Sequence, residues 1–211
     1  MTARYAEVLF TDAMKSRQSV AGSRKSYDRM AALGGNEEDA LGEAEAAFIA
    51  ARDSFYIANV TADGWPYMQH RGGPIGFLKV TGPRTLAFAE FAGNKQFVSA
   101  GNVDGDDRVS LSLMDCPGRR RLKMIGHARL VERGDPGFPN GAVDAGYNAP
   151  VERARIFDVV AFDWNCPKHI TPRYIEAEIA PGVNELLAKI ADLEARLELA
   201  DYSTPVPPSE N

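Results

Sequence analysis

The signatures of several common enzyme chemistries are missing from this sequence. It has no Gly-x-Ser-x-Gly elbow, no His-Glu-x-x-His, no Gly-x-Gly-x-x-Gly fingerprint and no Walker loop. Histidine is scarce: His70, His127 and His169 are the only three, at spacings that suggest no metal site. A hydrolase or metalloenzyme reading therefore has nothing to rest on. The two cysteines, Cys116 and Cys166, form no CxxC and read as buried structural thiols. Long apolar runs are absent too. Stretches such as Phe48 to Ala51 fall far short of the roughly 20 residues that span a bilayer, so no membrane association is expected. Asp12, Lys15 and Arg17 precede any apolar segment, which argues against a secretory leader and for a cytoplasmic protein. Nor is there a cationic surplus. With 24 Lys and Arg against 29 Asp and Glu the net charge is −5, which excludes a general nucleic-acid binder.

What is present is a strand-rich middle between helical ends. The first fifty residues read as helical, with Asp12 to Val20 broken near Gly22, a turn at Gly34-Gly35-Asn36, and a helix over Glu43–Arg52. From Ser54 the apolar period becomes two. Strands are predicted at 54–60, 65–70, Gly76–Val80, Thr85–Glu90, Arg108–Met114, Arg121–Val131, Phe157–Trp164 and Arg173–Glu178, with turns such as Ala62-Asp63-Gly64 and Cys116-Pro117-Gly118. A short helix is predicted over Asn94 to Val103, an irregular loop over Gly134–Gly146, and another short helix near Val151–Arg155. Closely spaced strands with few helices between them favour an antiparallel barrel over a parallel sheet. In the C-terminal helix, Leu186, Ile190, Leu193 and Leu197 form an apolar stripe that needs cover, from its own barrel or from a partner subunit. The expected organisation is a helical arm (1–42), a barrel domain (43–180), an amphipathic helix (181–203) and a disordered tail (204–211).

Cationic and amide side chains cluster at strand ends and at one helix start. Arg71 closes the second strand before Gly72-Gly73-Pro74, where missing side chains would let a flat ligand or a phosphate approach the backbone. Alone it reads as a surface arginine ahead of an ordinary turn. Asn94-Lys95-Gln96, with Ser99 behind, begins the predicted short helix, whose N-terminal N–H groups attract anions. Lys95 opposes that helix dipole unless an anion is bound. Arg119, Arg121 and Lys123 would share one strand face, which suits an anionic ligand or a solvated edge strand. Trp164, His169 and Arg173 flank a Pro-bounded loop. There an aromatic ring can lie against a planar ligand and a guanidinium can meet its oxygens.

In this order the segments resemble the FMN-binding split-barrel family of pyridoxamine 5′-phosphate oxidase. The resemblance spans about residues 45 to 178. It is carried by Ser54-Phe55-Tyr56-Ile57-Ala58, Gln69-His70-Arg71-Gly72-Gly73, Gly93-Asn94-Lys95-Gln96, Asp107-Arg108-Val109-Ser110-Leu111, Arg120 through Ala128, and Trp164-Asn165-Cys166-Pro167. It implies a mainly β (β+α) fold: a six-stranded antiparallel split β-barrel with peripheral helices and a C-terminal helix. It also implies a homodimer with FMN at the subunit interface. Arg71 with the Gly72-Gly73-Pro74 backbone would contact the flavin and its ribityl phosphate chain. Asn94 and Lys95, with Gln96 beside them, would hold the phosphate. Arg121 would supply a polar flavin contact, and Trp164 and Arg173 would come from the second subunit. Ser99 and His169 join this set by their placement alone.

The departures from the family pattern fall on the substrate side. Where pyridoxamine phosphate oxidases carry Arg-x-His before the last arginine, this chain has His169-Ile170-Thr171. Gly76 replaces a lysine, and Val131 to Pro150 holds no match to the residues that grip the substrate phosphate. The expectation is an FMN-dependent oxidoreductase acting on something other than pyridoxamine phosphate, with NAD(P)H or another small molecule as partner. The alternatives are an F420- or haem-binding barrel, or a dimer that stores or senses flavin.

Overall fold

The computed structural model describes residues 2–32, 39–144, 146–164 and 166–202. The predicted turn at Gly34-Gly35-Asn36 and the predicted tail lie outside them. Two compact units emerge, Met1–Ile170 and a second from Thr171 onward.

In the first unit, α1 (Ala3–Leu9), α2 (Asp12–Val20), α3 (Arg24–Ala31) and α4 (Glu43–Ala50) precede the strands. Thr2 and Thr11 cap α1 and α2 by accepting from the N–H of Tyr5 and Met14. In α4, Glu45 accepts from the Gly42 N–H at 3.0 Å and so closes the first turn. One antiparallel sheet follows, built from β1 (Ser54–Val60), β2 (Pro66–Gly72), β3 (Lys79–Gly82), β4 (Thr85–Phe91), β5 (Arg108–Asp115), β6 (Arg120–Glu132) and β7 (Val151–Trp164). Their spatial order is β2-β1-β5-β6-β7-β4-β3. A helix, α5 (Val98–Gly105), sits between β4 and β5.

Alternation decides which residues face inward. The inner rows carry Phe55 and Ile57 of β1, Leu111 and Leu113 of β5, Leu122 and Met124 of β6, and Phe157 and Val159 of β7, all buried in one cluster. Each contributes about 1.5–3 kcal/mol by leaving water. The sheet curls until Phe55 of β1 meets Phe88 of β4 edge-on, ring centroids 5.1 Å apart, with Phe77 stacked on Phe55 at 5.5 Å. That contact across the interior makes the sheet a barrel. At Gly126 the β6–β7 register shifts. A Cβ there would lie 2.1 Å from the Asp158 carbonyl oxygen, so only glycine fits the bulge.

Several sequence expectations change. Seven strands form, not six. Val151–Arg155 is the first part of β7, because Glu90 and Phe88 of β4 pair with Arg153 and Arg155 and draw the segment into the sheet. Asn94 to Val103 is not one helix: α5 begins at Val98, since Lys95 (φ 59°) and Phe97 (φ 53°) are left-handed and interrupt any earlier turn. Arg119 (φ 52°) is in a turn, outside the strand that Arg121 and Lys123 share. Cys116 is half-buried and Cys166 exposed, so neither is the buried thiol expected.

In the second unit the strand predicted at Arg173–Glu178 is absent. Residues 171–175 are irregular, and α6 runs Glu176–Tyr202, starting where the Glu178 carboxylate accepts from the Ile175 N–H at 2.9 Å. The helix continues through Pro181, whose ring nitrogen cannot donate to the preceding turn. Among the described residues no helix is long and apolar enough to cross a membrane.

Candidate functional site

At one end of the barrel the inner rows turn from apolar to charged. On β2 the row reads Tyr67, Gln69, Arg71, set by the pairs Asn59↔Tyr67, Ile57↔Gln69 and Phe55↔Arg71. On β4 it continues from Phe88 to Glu90, and on β7 from Phe157 back through Arg155 to Arg153. Glu90 is the hub. It accepts from Arg155 Nε at 2.8 Å and from Arg71 at 3.3 Å, tying β2 to β4 across the seam of the curled sheet. The Arg155 side chain has no exposure at all. Burial pushes its guanidinium below its ordinary pKa, with Glu90 opposing that shift and Arg71 adding to it.

The hub leaves donors over. Arg155 Nη1 and Nη2, Arg71 Nε and Arg153 Nε are buried without a hydrogen-bond partner in the protein. Unmet buried donors are costly, typically by about 1–3 kcal/mol each. They lie beside or behind a cleft of about 80 Å³ lined by Gln69, Arg71, Glu90, residues 93–100, Glu152 and Arg153. Its charged lining is Arg71, Lys95 and Arg153 against Glu90 and Glu152, or 3 − 2 = +1. Arg155 behind Glu90 raises the local sum to +2.

The loop ahead of α5 shapes the cleft's other wall. Asn94 accepts from the Gln96 N–H at 3.3 Å, and Lys95 and Phe97 hold left-handed backbones that cost roughly 1–2 kcal/mol each for non-glycine residues. The Phe97 ring lies 4.8 Å from the Arg153 guanidinium, which helps hold that loop. The first turn of α5, Val98 to Ala100, faces the cleft and presents the N–H groups and positive dipole end that anions favour. The anion argument therefore belongs to residues 98–100, with Lys95 as a separate exposed cation ahead of them. Ser99 is buried, and its hydroxyl accepts from Asn59 Nδ2 at 2.8 Å, so it also pins α5 to β1.

Of the residues singled out from sequence, Arg71, Asn94, Lys95, Gln96 and Ser99 converge on this cleft. Gly72 borders a neighbouring hollow with Arg71 and Glu90. Gly73 has a different use from the one expected. A Cβ there would lie 2.7 Å from Phe77 Cγ, so its smallness serves the core, while Pro74 closes the turn by accepting from the Phe77 N–H. The rest do not line the cleft. Arg121, the second residue of β6, pairs with Met114 of β5. Trp164 donates its indole N–H to Glu45 at 2.7 Å and packs edge-on against Phe48. His169 is exposed, with φ 63°. Arg173 lies in the second unit, exposed. Sequence reading missed Gln69, Glu90, Arg153 and Arg155. The signal for the two arginines was Arg153-x-Arg155-x-Phe157, cations sharing a strand face with a core aromatic.

The fold and site together define a class: a β+α antiparallel split barrel with a cationic, donor-rich mouth. The family model described as "Pyridoxamine 5'-phosphate oxidase" matches residues 41–147, and the chain belongs to that family. Among solved structures, a putative pyridoxamine 5′-phosphate oxidase from Lactobacillus delbrueckii is 21% identical, covering 59% of this chain and 93% of its own (TM-score 0.46). HupZ of Group A Streptococcus is 12% identical over 64% of this chain and 100% of its own (TM-score 0.46). An FMN-binding protein from Syntrophomonas wolfei is 13% identical over 57% and 83% (TM-score 0.42). A search of the curated proteins finds no match.

Proposed function

We propose that the cleft takes the phosphate end of FMN, held by Arg71, Lys95 and the first turn of α5, and that the protein is an FMN-dependent oxidoreductase. One observation carries this: Arg71 and Arg153, which line a cleft of positive sum beside a helix start, keep buried N–H groups with no hydrogen-bond partner in the protein. A dianionic phosphate matches that surplus of charge and donors. With the phosphate anchored there, the isoalloxazine would supply the redox chemistry, with NAD(P)H or another small molecule as electron partner. Arg71 would bind and orient, and Glu90 would hold Arg71 in place. The departures at His169-Ile170-Thr171 and Gly76 favour a substrate other than pyridoxamine phosphate.

The same proposal includes a homodimer. Trp164 and Arg173 do not line this chain's cleft; in this reading a second copy brings its own pair to complete the flavin site. Titration tests the reading: FMN fluorescence should be quenched to saturation at one flavin per chain. Light scattering of the loaded protein should give about twice the 23.0 kDa chain mass. Unquenched FMN would overturn the cofactor assignment, and a flavin-loaded monomer would overturn the dimer.

A further inference from the structure

The C-terminal helix α6 carries a repeat that a helix packed on its own domain does not need. Ile179, Val183, Leu186, Ile190, Leu193 and Leu197 are spaced 4, 3, 4, 3, 4, a strict 3.5-residue period. Their side chains stand between 45% and 66% exposed along the helix. In heptad terms Val183, Ile190 and Leu197 occupy a, and Ile179, Leu186 and Leu193 occupy d. In the two central heptads, β-branched Val183 and Ile190 at a with Leu186 and Leu193 at d is the pattern that favours two parallel strands.

The flanking charges choose the partner and its direction. The g positions hold Lys189 and Arg196; the e position between them holds Glu194, and position 201, the next e, is an aspartate. In a parallel in-register pair each g meets the e five residues on in the other chain, so Lys189 faces Glu194 of a second copy. In an antiparallel pair g meets g and e meets e, setting Lys189 and Arg196 against like charges. Arg196 has an Asp192 neighbour on its own helix, but at 3.8 Å with both side chains about 70% exposed that contact holds it weakly.

We infer that α6 is the strand of a parallel, in-register, two-stranded coiled coil formed with a second copy of this chain. The inference does not rest on the FMN reading. The test is site-specific oxidation in the full chain with Cys116→Ser and Cys166→Ser. Leu186→Cys and Leu193→Cys, made separately, should both form disulfide-linked dimers, because d positions face their own copies in register. Ala188→Cys, at the outer f position, should not. Adding Lys189→Glu with Arg196→Glu should lower the cross-linking yield roughly tenfold, and Glu194→Lys with Asp201→Lys should restore it. Cross-linking at only one of the two d positions would mean an antiparallel pair and overturn the inference. So would equal yield at Ala188→Cys, or no cross-link anywhere. FMN quenching measured on the same samples keeps failure of this interface distinct from failure of the flavin reading.

Discussion

Glu90 and Asp115 are equally buried carboxylates, each with 10% side-chain exposure, and each gathers two arginines. Their surroundings differ. Asp115 accepts from the Gly118 N–H at 2.9 Å and from Arg120 Nε at 2.9 Å, with Arg52 at 3.7 Å, and Arg120 reaches solvent at 59% exposure. Burial alone would raise the Asp115 pKa, but these donors and charges outweigh it and hold the carboxyl below its ordinary value. That cluster leaves over one buried donor, Arg52 Nε. Glu90 instead holds a fully buried arginine and a second that borders a cleft, and the guanidinium atoms around it outnumber their acceptors. A carboxylate whose donors are nearly all met staples a fold; an arginine group with several buried donors over is arranged to receive something.

Mutations can break this contrast. The largest effect is expected from Arg155→Met, which leaves Glu90 buried with one weaker partner. Removing one member of a buried pair costs roughly 3–5 kcal/mol, read as a lowered denaturant midpoint. An unchanged midpoint would show that Glu90 relaxes into water and is no hub. Asp115→Asn should cost less, about 1–3 kcal/mol, because Arg120 can turn to solvent. A loss matching that of Arg155→Met would erase the distinction between the clusters. Lys95→Glu should weaken FMN binding at least tenfold, about 1.4 kcal/mol. Global stability should move by less than about 0.5 kcal/mol, since the side chain is exposed. Unchanged quenching titrations would remove Lys95 from the site.

The smallest effect is in acid. A carboxyl whose folded pKa is depressed contributes stability that is fully present above its unfolded value and is lost as pH falls through the folded value. The Asp115 contribution should therefore persist at neutral pH and fade only below about 3.8. The difference in denaturant midpoint between the wild type and Asp115→Asn should shrink over that window. A gap that stays constant down to pH 2 would mean the carboxylate's charge contributes nothing.

The limits of sequence reading are visible in particular residues. Arg71, Asn94 and Lys95 were found because each stands beside a local signal, a strand end before two glycines or a Gly-Asn turn. Glu90 and Arg155 were not, because each looks ordinary in its own strand and gains meaning only where β4 pairs with β7. The segment after Trp164 shows the opposite error. Arg173 to Glu178 has strand-like residues, yet the chain there leads directly into α6.

Alternating periodicity, the turn residues and the heptad spacing of α6 were written in the chain itself. Each depends on neighbours a few positions apart, and local sterics and burial act over that range. Tertiary structure alone decided that Phe55 would meet Phe88 and that Arg71, Glu90 and Arg155 would converge. Those contacts arise from the closing of a curved sheet, which brings together side chains that no short-range rule relates.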